Sequence, residues 1–136
     1  MYASKKMVPA AVGVAGLALA SLGTVGSGPA AAAATCELSV DSNKVLNLQD
    51  NGANDEIFFK LGSHRTPVVQ YGLGDKVTNI GTEVFQGSID LRVFERDANN
   101  ITLVGTLNNI PCQNEPGELD DLSGAGAIYR VKWSVS

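Results

Sequence analysis

Beyond Thr35 the sequence is broken at short intervals by Gly, Asn, Asp and Pro, and the stretches between them alternate apolar with polar residues. That punctuation excludes long helices and forces the chain into many short strands. The alternation is clearest in two places. Ile89, Leu91 and Val93 share one face, with Asp90 and Arg92 opposite; Tyr129, Val131, Trp133 and Val135 share another, with Arg130, Lys132 and Ser134 opposite. A period of two means one buried face and one wet face, as in antiparallel sheets. Strands are predicted at Glu37–Val40, Val45–Leu48, Glu56–Leu61, Val68–Tyr71, Lys76–Ile80, Glu83–Phe85, Ser88–Glu95, Ile101–Leu107 and Ala127–Val135. Turn signals spaced at roughly 8–12 residues favour a β-sandwich or small barrel, and the expected fold is all-β, an antiparallel β-sandwich. The last strand carries the single Trp and is expected in the core. Asn108 to Gly126 combines Pro, Gly and acidic residues and reads as a long irregular loop; such loops are often functional.

The N-terminus reads as an export signal. Lys5 and Lys6 precede an apolar stretch from Val8 to Leu22, and small residues follow up to the alanine run Ala30–Ala34. This order of charge, apolar core and small residues is what a signal peptidase recognises. Residues 1–34 are therefore expected to be removed, leaving a single domain over 35–136. The apolar stretch falls short of the ~20 residues of a membrane span, so no stable membrane insertion is expected after cleavage. Losing Lys5 and Lys6 leaves eight basic residues against fourteen acids, a formal charge of −6. Such a domain is a poor partner for nucleic acid. It suits an extracellular setting, a cation or a basic protein. Cys36 and Cys112 are an even pair in an exported chain and are expected to form one disulfide. Closing so long a loop is worth about 4 kcal/mol in the chain-entropy model.

Two acidic segments flank strands. Asp50-Asn51-Gly52-Ala53-Asn54-Asp55 runs into Glu56–Leu61, and Glu95-Arg96-Asp97-Ala98-Asn99-Asn100 follows Ser88–Phe94. Carboxylates and amide oxygens are the donors a calcium ion takes, six to eight at a time. The same residues are also the ordinary formers of turns. If the two strands are neighbours, the two segments share one end of the sandwich, as a calcium site or as a binding rim.

The stretch LNLQDNGANDEIFFKLG, followed by IDLRVFERDANNITLVG, resembles the calcium-binding β-sandwich domain first known from protein kinase C. The resemblance places Asp50 and Asp55 on the first-loop acids, Glu95 and Asp97 on the second-loop pair, and Gly105 on a later glycine. It implies a β-sandwich with calcium held by Asp50, Asp55, Glu95 and Asp97. Glu56 stands where the family has a proline, and Ile101 and Thr102 stand where it has a further acid. The layout of an Ala-rich signal and one disulfide also resembles small exported actinobacterial proteins. Some of these are non-catalytic adaptors in secreted toxin particles.

Catalytic chemistry finds no support. His64 is the single histidine and sits in a turn-like Gly62–Pro67 segment. A Ser–His or Cys–His pair, or a zinc site, needs more partners than that. No enzyme activity is expected. The expected function is protein binding, as an adaptor or interaction subunit of an extracellular, toxin-type complex, with the end loops and Asn108–Gly126 as the contact rim. The alternatives are a calcium-dependent ligand-binding module and a secreted protease inhibitor presenting Pro111-Cys112.

Overall fold

The alternation seen in the sequence is realised as two facing antiparallel sheets in the computed structural model, which describes Gly26, residues 28–49 and residues 54–136. Ala32–Ser136 form one compact unit. Among the described residues nine strands follow one another: β1 (Thr35–Asn47), β2 (Asp55–Leu61), β3 (His64–Arg65), β4 (Val69–Tyr71), β5 (Lys76–Gln86), β6 (Ser88–Arg96), β7 (Ile101–Pro111), β8 (Glu115–Gly124) and β9 (Ala127–Val135). One sheet has the order β5-β1-β9-β8, the other β3-β2-β6-β7 with β4 also paired to β2. The all-β sandwich expected from the sequence is the observed fold. Among the described residues no helix is long and apolar enough to cross a membrane.

The core forms where the two inner faces meet. Leu38, Val40, Val45, Tyr129 and Val131 come from one sheet, and Ile57, Phe59, Leu61, Leu91 and Val93 from the other. Each buried aliphatic side chain contributes about 1.5–3 kcal/mol by leaving water. Trp133 joins this core, as its strand predicts. The expected disulfide is present: Cys36 of β1 is bonded to Cys112 just past β7, joining the two sheets over a sequence separation of 76.

Several expected breaks turn out to be irregularities inside longer strands. Glu37–Val40 and Val45–Leu48 merge into β1, which carries a bulge at Asp41 opposite β9. Lys76–Ile80 and Glu83–Phe85 merge into β5, where Asn79 adopts a left-handed φ of 55° in the matching bulge opposite β1. Asn tolerates that conformation better than most residues, so a turn former here makes a bulge. The strand expected at Val68–Tyr71 is observed as β4, and the turn-like segment before it holds the two-residue β3. The edge beside β2 is split into β3 and β4 because Thr66 stands in for the ladder: its hydroxyl accepts the Phe59 N–H at 2.9 Å while its own N–H donates to the Phe59 carbonyl at 3.0 Å.

Asn108–Gly126 is not a long loop. β7 continues to Pro111, and Glu115–Gly124 form β8 along β9. Only the short Cys112–Asn114 connection lies between them, with the Cys112 N–H bonded to the Gly87 carbonyl. The sequence hid β8 because it is an edge strand. It pairs on one side only and buries Leu122 alone among its apolar residues. Its acids and Pro116 are the residues that keep an exposed edge from pairing with other chains.

At the loop end β7 and β8 lie backbone to backbone across the open side of the sandwich. A Cβ on Gly124 would stand 2.2 Å from the Val104 carbonyl oxygen, and one on Gly105 would stand 2.9 Å from Leu122 Cβ. Gly124→Ala must therefore push two edge strands apart. The expected cost is about 1–3 kcal/mol, read as a lower urea midpoint with an unchanged slope.

Candidate functional site

β2 and β6 are paired neighbours, with Ile57 opposite Glu95 and Phe58 opposite Phe94. This register places Asp55 at the same end of the sandwich as Glu95 and the segment that follows it. It also points Asp55 and Glu95 inward, where each is 1 % exposed. The Tyr129 hydroxyl donates to Asp55 Oδ2 in a short hydrogen bond, and the Gln49 N–H donates to the same oxygen at 3.0 Å. Burial pushes the Tyr129 hydroxyl far above the usual tyrosine range, and the charges of Asp55 and Glu95 reinforce the shift. Tyr71, opposite Asp55 on β4, is also raised by burial.

Calcium requires a ring of accessible oxygens. Asp55 Oδ1 is buried without a hydrogen bond among the described residues. Asp97 lies in the β6–β7 turn, where its N–H bonds the Asn100 carbonyl. Asp50 lies outside the described residues. Among the described residues no group of three or more His, Cys, Asp or Glu side chains is placed to hold a metal ion. Asp55, Glu95 and Asp97 share one end of the sandwich without forming such a group among the described residues. Asp75, which sequence reasoning missed, lies at the same end: its carboxylate caps the Gly72 N–H at 2.7 Å, and a Cβ on Gly72 would touch both it and Asn54. The Gly-Leu-Gly-Asp spacing was the available signal, and it reads locally as a turn.

The outer face of the same sheet has a different character. Phe58 points away from the core yet is only 1 % exposed. It stacks on Phe94 with centroids 5.1 Å apart and planes 6° from parallel. The Arg65 guanidinium covers the Phe58 ring at 3.9 Å, and Lys60 Nζ lies 5.6 Å from the Phe94 centroid. Such cation–π contacts are worth about 0.5–1 kcal/mol each at exposed sites. The outward member of the Phe58-Phe59 pair therefore builds a small outer layer of its own. Lys60, Arg65, Arg92 and Arg96 all project on this face, and among the described residues Glu56 and Asp90 oppose them. Arg96 holds the Glu56 carboxyl below its usual range. The Asn109 N–H, helped by Arg92, does the same for Asp90. Half of the eight basic residues beyond Thr35 are gathered here, leaving the rest of the surface strongly acidic. Along the edge run Ile101 and Leu103, 56 % and 49 % exposed, opposite Arg96 and Phe94. His64 sits on β3, exposed, 3.9 Å from Glu83 across the sandwich edge.

No protein-family model matches the chain, and no curated protein is similar to it in sequence. Solved structures are similar in fold. One, described simply as a C2 domain, has a TM-score of 0.53 and 17% identity, over 74% of this chain and 98% of that one. The two tandem C2 domains of extended synaptotagmin 2 give 0.57 and 11%, over 97% and 48%. CC2D1B, described as acting in mitotic reformation of the nuclear envelope, gives 0.55 and 12%, over 74% and 53%. The chain spans about half the length of the last two. At these identities the likeness is one of fold: the chain is a C2-like β-sandwich.

Tyr129→Phe removes one of the two hydrogen bonds to a buried carboxylate oxygen and is expected to cost about 2 kcal/mol. The pH dependence has a definite sign. The folded-state pKa of Tyr129 is raised, so its contribution is complete below the unfolded tyrosine pKa of about 10 and is lost as pH climbs beyond it. Denaturant melts above that pH should show stability falling for the wild type and falling less steeply for Tyr129→Phe.

Proposed function

We propose that this chain is an exported, non-catalytic protein-binding module, an adaptor or interaction subunit of an extracellular complex of the toxin-particle kind. The observation that carries this reading is the outer face of the β2–β6–β7 sheet. There a stacked Phe58–Phe94 pair, four cations and the exposed Ile101 and Leu103 share one surface of an otherwise acidic domain. Aromatic and Arg-rich patches beside exposed aliphatic residues are the composition of interface centres. The disulfide and the signal-like N-terminus support an extracellular location. The single exposed histidine gives no nucleophile–base pair. The test is the native size of the secreted protein. It is expected to leave a producing culture in a complex larger than itself, and Leu103→Glu is expected to release it as a monomer with an unchanged melt. Recovery of the wild type only as a lone monomer overturns the reading.

A calcium-dependent ligand-binding module is the second reading. It rests on the buried Asp55 oxygen that has no hydrogen bond among the described residues, at the end shared with Glu95 and Asp97. Ligation that occurs only in the folded state adds about 2.7 kcal/mol at a hundredfold excess over the dissociation constant. Melts with calcium and with chelator are therefore expected to differ by several degrees on this reading. Coincident melts remove it and leave the rim without a metal.

A further inference from the structure

The open side of the sandwich between β7 and β8 is closed at one end and open at the other. Near the loops, Gly105 and Gly124 let the two edge strands touch. Toward the disulfide they part around a cleft of about 410 Å³. One wall is Leu107, Ile110 and Pro111 of β7; the other is the acidic side of β8, with Trp133 against it. A bulge shapes the first wall. Asn109 takes a φ of 55° there, and its N–H is held by Asp90 Oδ1 at 2.9 Å.

Three carboxylates line this cleft: Glu115, Glu118 and Asp120. Among the described residues none of them is in an ion pair. Asp120 is oriented from below, since the Trp133 indole N–H donates to its Oδ2 at 2.7 Å and leaves Oδ1 for another partner. Glu115 accepts from the neutral Gln113 amide. Among the described residues the cleft is thus an apolar trough with a negative wall in no ion pair, with Lys132 nearby at Gly117, flanked by two strand edges that pair with no further strand. Negative charge calls for a cationic occupant, the apolar wall for a side chain with an aliphatic body, and the open edges for an extended main chain.

We propose that the β7–β8 cleft binds an extended segment of a partner protein in which Lys or Arg alternates with apolar residues. The cations meet Glu115, Glu118 and Asp120, and the apolar residues lie against Leu107, Ile110 and Trp133. This surface is separate from the cationic face of the β2–β6–β7 sheet, so one module presents two faces of opposite charge.

Trp133 is the single tryptophan of the chain, so its fluorescence reads the cleft directly. The probe is a blocked Lys-Val-Lys-Val-Lys-Val peptide, with Glu-Val-Glu-Val-Glu-Val and spermine as comparisons, titrated into the whole secreted protein. The Lys-Val peptide is expected to give a saturable change in emission that weakens several-fold at high ionic strength. Glu115→Gln with Glu118→Gln should loosen it about tenfold, as two lost exposed ion pairs allow, while leaving the melt unchanged. Leu103→Glu should leave it untouched, so this proposal and the sheet-face reading fail separately. The proposal is overturned by an absent or non-saturable response, by equal binding of the Glu-Val peptide, or by undiminished binding to the double Gln variant. Binding of spermine as tight as that of the peptide overturns it in favour of a simple polycation site.

Discussion

The inward carboxylates and the outward cationic face both depend on the register of β2 against β6. With Ile57 opposite Glu95, the inner face receives Asp55, Ile57, Phe59 and Leu61 against Val93 and Leu91, and the outer face receives Phe58 against Phe94. Side chains alternate with a period of two, so a slip of one residue would exchange the two sets. A slip of β2 would bury Lys60 and expel Ile57, Phe59 and Leu61, and a slip of β6 would bury Arg92 and Arg96 and expel Leu91 and Val93. The hydrophobic pattern therefore fixes the register. The register in turn decides that two carboxylates enter the sandwich while four cations stay outside.

That decision has an energetic consequence at each surface. Inside, a carboxylate without a cation is expensive unless hydrogen bonds replace its water. The Tyr129 hydroxyl and the Gln49 N–H do this for Asp55 Oδ2. Tyr129 is also a core residue of the opposite sheet, so the polar contact ties the two layers where the loops emerge. Outside, a buried Phe58 would be costly to expose, and Arg65 covers it while keeping its own charge in water. The basic residues on this face therefore serve packing as well as charge.

Much of the sandwich was legible in the residues. Ile89-Leu91-Val93 and Tyr129-Val131-Trp133-Val135 are half-buried strands with strict alternation, and both are observed where the pattern places them. β8 was illegible because an edge strand with one buried apolar residue carries no period-two signal. The bulges of β1 and β5 were read as breaks because a turn former in mid-strand looks the same in sequence as a turn. Of the candidate site, the shared end of Asp55, Glu95 and Asp97 followed from the adjacency of two strands. Asp75 and the β7–β8 cleft did not, since each joins residues brought together only by sheet packing.

By itself the sequence determined the strands with clear alternation, the faces they bury, the pairing of its two cysteines and the excess of acid beyond Thr35. Those properties are local or compositional, so they survive without knowledge of neighbours. The tertiary structure alone decided that Asp55 and Glu95 face inward, that Phe58 forms a second layer under Arg65, and that the acids of β8 line a cleft floored by Trp133. Each of these depends on which strand lies beside which, and on how closely two edges approach. That is settled by packing between segments far apart in the chain.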